Sequence, residues 1–263
     1  MTFLTAGENV YRQVQTLLLD QGRRSRFWSE LPLLYEVSQR APDIAAYTKR
    51  AYTLLLFKQV LLAGRFAVQS ATPNNAIREI ERQLTELLDI RVASDARARL
   101  ARAIKAAVDV SCKPIAASVR RAVLGTAMIW QCYLCGTSLF SEDRDSPHRV
   151  SLDHLWPSSL GGDSVEENLL PACLHCQQAK ANHVQWESLG VHNLMLSPYP
   201  SVDELASVTR REKIGLFYFI AMTRAEKERL SLRDALLRHG PALNVRVRDE
   251  STPAGFFDLA LEA

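Results

Sequence analysis

Up to about Met128 apolar residues recur every three or four positions among Ala, Leu, Arg, Gln and Glu, the spacing of helices that bury one face, with no internal repeat. Thr72-Pro73-Asn74-Asn75 breaks this pattern: proline and paired asparagines stop the helix containing Tyr52 to Val68 and start another. A second break is expected near Ser111 to Pro114. In the helix around Asp95 to Val110, Leu100, Ile104 and Val108 fall on one face and Arg99, Arg102 and Lys105 on the other. From Ile129 to Trp186 the helical period disappears and Cys, His, Gly, Pro, Asp and Asn take over, as in a small loop-rich unit held by metal. Helical signals resume after Pro200. Ser201 with Glu204 fits a capping box, one long helix is predicted from about Val208 to Leu237, Gly240-Pro241 ends it, and the alternating LNVRVR of the tail fits a strand.

The expected architecture is therefore α+β and mostly helical, in three parts. Residues 1–128 form a helical domain, 129–186 a small metal-held module, and 187–263 a second helical region. With 47% hydrophobic and 23% charged residues in 263, the chain has the composition of a soluble globular protein and not of a disordered one. The start, MTFLTAGENVYRQ, lacks the basic and apolar segments of a secretory signal, which predicts a cytoplasmic protein. The most apolar run, Ile214 to Met222, is less than half of the ~20 residues that span a bilayer and predicts a buried helix, not a membrane segment.

Charge is unevenly spread. Residues 1–128 hold 19 Lys/Arg against 11 Asp/Glu, a surplus of 8, whereas the remainder is acidic by 5. Within 129–186, Arg144, Arg149 and Lys180 face seven acidic residues. A nucleic acid is gripped mainly through its phosphates, so Arg99, Arg102 and Lys105 on the basic helices are the candidate nucleic-acid contacts, or else the helices dock a protein partner or a second copy that supplies the grip.

Five cysteines are an odd number for disulfides in a reducing compartment. Four form two C-x-x-C pairs, Cys132/Cys135 and Cys173/Cys176, the gap that lets paired thiolates share one tetrahedral Zn²⁺. Four sulfurs leave no open position for water, so such a zinc is structural. Cys112 is left over and is expected to be a packed, inert thiol. Trp130, Trp156 and Trp186 bracket the module and are expected to supply its small core.

Between the cysteine pairs runs Ser151-Leu-Asp-His-Leu-Trp-Pro-Ser-Ser-Leu-Gly-Gly-Asp-Ser-Val-Glu-Glu-Asn-Leu-Leu, continuing into Pro171-Ala-Cys-Leu-His-Cys-Gln-Gln-Ala-Lys180. The order Asp-His, Pro-x-Ser, Gly-Gly, Asn-Leu, Cys-x-x-Cys and a following Lys resembles the signature of the HNH endonucleases. It covers about a fifth of the chain, and the flanking helical parts resemble no family.

The resemblance implies a zinc-stapled ββα-metal module, with a first strand at Arg149 to Leu152, a second at Leu169 to Ala172, and a helix from Gln177 to about Val184. It implies metal-dependent hydrolysis of phosphodiester bonds in DNA, with RNA as the other polyanion. His154 would be the general base, Asn168 would orient its imidazole, and Asp153 would hold a catalytic Mg²⁺ or Mn²⁺. The second ligand position falls on Gln177, where the family usually has Asn or His, a departure that bears on metal affinity. Lys180 matches the family's helix lysine, a phosphate contact or a packing residue. Family habits suggest restriction or anti-phage defence. The rival expectation is a zinc-stapled nucleic-acid-binding module with weakened or lost catalysis, acting as a subunit of a larger complex.

Overall fold

The computed structural model describes residues 4–19, 42–127, 129–140, 146, 148–182 and most of 213–240. The expected Ser201–Glu204 cap, Trp186 and the LNVRVR tail lie outside the described residues. The fold is α+β, mostly helical, with two small two-stranded sheets. It divides into two units, one of Leu4–Lys113 with Trp156–Asp163 and the other of Pro114–Leu155 with the described residues from Ser164 onward. These boundaries differ from the expected cuts at 128 and 186.

The first unit is a cluster of four helices: α1 (Ala6–Val14, continued by a π turn at Gln15–Leu19), α2 (Pro42–Ser70), α3 (Ala76–Glu86) and α4 (Ser94–Val110). The break at Thr72 to Asn75 is where the sequence places it. The Thr5 hydroxyl accepts the Glu8 N–H at 3.1 Å and the Glu8 carboxylate accepts the Thr5 N–H at 2.8 Å, a reciprocal cap that fixes the start of α1. Val10, Val14, Phe57, Val60, Ile80, Leu84, Leu100 and Ile104 are fully buried and form its core. At Gly64 an added Cβ would stand 2.2 Å from Ile104 Cγ2, so α2 and α4 approach as closely as a bare backbone permits. Residues Ala51–Ser70 of α2 are long and apolar enough to cross a membrane by length and composition, and the Leu56, Phe57, Val60, Leu61 and Ala67 face of this helix is buried in the cluster.

The loop Trp156–Asp163 belongs to this helical unit. Trp156 packs edge-on against Tyr11 and Phe57 with ring centroids 5.8 Å away in both cases. It is thus a core residue of the helical unit, and the expectation that it fills the metal module is corrected. Cys112, expected to be packed, is exposed; it sits at φ 58° past the end of α4, where the chain turns away from the core and the Cys112 N–H meets Ser158 O at 3.2 Å.

The second unit contains α5 (Ala117–Leu124), the hairpin β1 (Ile129–Gln131) with β2 (Ser138–Phe140), the pair β3 (Ser151–His154) with β4 (Leu169–Ala172), α6 (Leu174–Lys180), a helical stretch among residues 213–228, and α7 (Leu232–His239). Strands β3 and β4 are antiparallel, with Asp153 opposite Leu170 and His154 opposite Leu169. β4 has its expected bounds. β3 begins two residues later than expected, and α6 starts three residues earlier because Cys173 serves as its N-cap. The predicted single helix from Val208 to Leu237 is interrupted: Arg229 takes φ 55°, and the Ser231 hydroxyl accepts the Asp234 N–H at 3.1 Å to start α7 afresh. The expected buried helix at Ile214 to Met222 is present, with Ile214, Phe217, Tyr218 and Ala221 in one core with Cys132, Leu139, Leu170 and Cys176. The cysteine module therefore takes its apolar filling from the helices beyond residue 213.

Candidate functional site

Each cysteine pair sits on a turn that its neighbours dictate. After β1 the chain reverses over Cys132 to Gly136, where the Gly136 N–H donates to Cys132 O at 2.7 Å with φ 73°, a conformation that suits glycine. The second pair opens α6, and the Cys176 N–H points at Cys173 Sγ at 3.4 Å. The four sulfurs lie within 4.8 Å of one another. A tetrahedral ion with ~2.3 Å bonds spaces sulfurs by about 3.8 Å, and Cys135 Sγ stands 3.8 Å from Cys173 Sγ. Hydrogen bonding to Cys132 pulls Cys135 far below the usual thiol range and lowers Cys173 to about 7, while contact with the ionised partners pushes Cys132 and Cys176 up. Four sulfurs in that volume suit a cation that would hold them all as thiolates, and the all-sulfur donor set fits a metal such as zinc.

Strand β3 delivers Asp153 and His154 side by side. Asp153 is buried, and both carboxylate oxygens are engaged. The Tyr133 hydroxyl donates to Oδ2 at 2.6 Å, and the Lys180 ammonium lies 3.1 Å from Oδ2 and 3.3 Å from Oδ1. Lys180 also donates to His154 O at 2.5 Å and is only 1% exposed. The residue expected to touch phosphate is an internal cation, placed there because α6 packs its last turn beneath β3. A second phenol, Tyr218, shares a hydrogen bond with the Tyr133 hydroxyl at 2.5 Å, and burial pushes both tyrosines well above their ordinary pKa, with the Asp153 charge adding to the effect.

The His154 imidazole is partly buried. Its Nε2 lies 2.9 Å from Ser164 Oγ, and desolvation lowers its pKa below the ordinary imidazole value, with the Lys180 charge acting in the same direction and Asp153 opposing. A neutral imidazole in this setting suits a proton acceptor. Asn168, buried at the end of the 3₁₀ turn Glu166–Asn168, accepts the Leu155 N–H on its main-chain oxygen at 2.9 Å, so it fixes the backbone that leaves His154. The Gln177 side chain donates its amide N–H to Leu152 O at 3.3 Å.

For a hard divalent ion Asp153 does not fit as it stands. Both of its oxygens already face donors, one of them a cation, while the Gln177 amide is tied to the strand through its N–H. The remaining expected contacts are dispersed. Arg99 is exposed and pairs with Asp95 at 2.6 Å, Lys105 pairs with Asp109 at 2.6 Å, and Arg102 is exposed on the same helix. Both acids lie four residues from their partners, so the basic face carries less net charge than the arginine and lysine positions alone imply.

Sequence reasoning missed three residues. Tyr133 hides inside the first cysteine pair, Tyr218 comes from 85 residues away, and Ser164 is a polar residue in a loop; only Tyr218 left a signal, as a polar-tipped member of an apolar run. Comparison with known proteins finds no matching family, no matching curated protein and no matching solved structure.

Proposed function

We propose that this chain is an HNH-type endonuclease that hydrolyses phosphodiester bonds in DNA, with a structural zinc on Cys132, Cys135, Cys173 and Cys176. One observation carries the reading. A two-stranded antiparallel sheet followed at once by a helix carries Asp153 and His154 on its first strand and Asn168 just before its second, and the helix opens on two of the four clustered cysteines, the order the sequence motif implies. His154 takes the proton of the attacking water, for which its lowered pKa keeps a lone pair available. Lys180 and Tyr133 hold Asp153 rigidly beside it. The family's Mg²⁺ or Mn²⁺ would bind at Asp153 only by displacing Lys180.

Within the second unit, α5 offers support for the grip on DNA. Arg120 and Arg121 stand exposed on α5, which packs on β4 and on the Glu166–Asn168 turn, and neither meets an acid among the described residues. Phosphate contact by this pair would place the duplex next to Asn168.

A second reading, a zinc-stapled nucleic-acid-binding subunit without catalysis, is favoured by the closed environment of Asp153. Incubating the zinc-loaded protein with supercoiled plasmid across a series of divalent metals separates the two. Nicked or linear product in any metal supports the nuclease; retarded but intact plasmid in all of them supports the binding subunit.

A further inference from the structure

The hydrogen bond between His154 and Ser164 closes a ten-residue excursion of the chain. The body of that excursion, Trp156–Asp163, is built into the helical unit. Asp163 Oδ2 accepts the Ala6 N–H at 2.9 Å, at the first turn of α1, and Gly161 O accepts the Gly7 N–H at 2.8 Å. The approach is tight: an added Cβ on Gly7 would fall 2.0 Å from Leu160 O and 2.3 Å from Trp156 Nε1. Arg65 binds Ser159 O, and Trp156 Nε1 donates to Leu160 O at 2.9 Å. Ser164 is the residue after Asp163 and belongs to the same unit as His154.

A neutral imidazole carries one N–H and one lone pair, and which nitrogen holds the proton is set by the hydrogen bond the other makes. We propose that Ser164 is a positioning residue for His154, accepting from Nε2–H and so leaving the lone pair on Nδ1. The inference rests on His154 as the base of hydrolysis, but the tautomer it specifies exists whether or not DNA is cut. In the reaction Nδ1 takes the water proton, the water oxygen bonds to phosphorus, the bond from phosphorus to the 3′ oxygen breaks, and that oxygen takes a proton from solvent. The imidazolium then bears N–H at both nitrogens, and Ser164 still accepts from one of them.

Long-range ¹H–¹⁵N spectra of the full, zinc-loaded chain labelled at histidine read the tautomer directly, with His154 assigned by the signals that disappear in His154→Gln. The expected wild-type spectrum has Nε2 protonated and Nδ1 bare. Ser164→Ala should show mixed tautomers and a kcat about tenfold lower or more, as when an imidazolium loses its acceptor, with KM unchanged; Ser164→Thr should restore both. A wild-type spectrum with Nδ1 protonated overturns the proposal without need of any variant, as does an unchanged spectrum in Ser164→Ala. A wild type that cuts no DNA yet shows the Nε2–H form, lost in Ser164→Ala, sinks the hydrolase reading and upholds this one.

Discussion

Replacing Lys180 by Met tests the most unusual feature of the site, a lysine buried against the carboxylate that precedes the candidate base. The ammonium is 1% exposed and its partner's side chain 6%, so water replaces neither when the pair is broken. Deleting one partner of such a pair costs about 3–5 kcal/mol, because the other charge stays buried. The Tyr133 hydroxyl still donates to Asp153 Oδ2, which puts the expected loss near the lower end, at about 3 kcal/mol. Guanidinium unfolding of the zinc-loaded chain, followed by circular dichroism, measures it. Adding Asp153→Asn to Lys180→Met removes both charges and should recover most of the stability. A loss below about 1 kcal/mol, the size for a solvated pair, would refute the burial argument and return Lys180 to the surface.

Changing any one of Cys132, Cys135, Cys173 or Cys176 to Ser should release the metal and melt the second unit while the helical unit persists; one equivalent of zinc by elemental analysis of the wild type, and less than that in the variants, is the check. Reversing Arg120 and Arg121 to Glu should weaken duplex binding and make the slope of log K against log salt shallower by about 2, near 0.9 for each lost phosphate contact. The same reversal at Arg99 and Lys105, which already face Asp95 and Asp109, should change the slope by less. Because burial lowers the His154 pKa and the base acts in its neutral form, cutting should persist below about pH 6.5, the ordinary imidazole value; an acid limb above that value would contradict the desolvation of the site.

What was legible in the sequence is what local chemistry determines. Two C-x-x-C pairs need only a spacing to predict a shared metal, proline with paired asparagines ends a helix regardless of context, and Leu169 to Ala172 reads as a strand on its own. What was hidden depends on contacts made across long stretches of chain. Strands β1 and β2 are three residues each, too short for a period to register. Trp156 lies two residues from His154, yet its ring belongs with Tyr11 and Phe57, and the sign of that was only a pair of glycines, Gly7 and Gly161, that let two backbones touch. Lys180 reads equally as a phosphate contact or a packing residue, and the Asp153 partner that holds its charge inside lies 27 residues earlier. The filling of the cysteine module comes from Phe217 and Tyr218, so a fragment ending near residue 200 lacks the core that the composition of 129–186 alone made it easy to overlook.

The central claim is that His154 accepts the proton of a water that attacks a DNA phosphodiester, and comparing wild type with His154→Ala on supercoiled plasmid tests it most directly. The account predicts that the wild type nicks or linearises the plasmid and that the variant does so at least a hundredfold more slowly, about what a general base contributes, with zinc content and DNA affinity unchanged. Equal cleavage by the two proteins would contradict it.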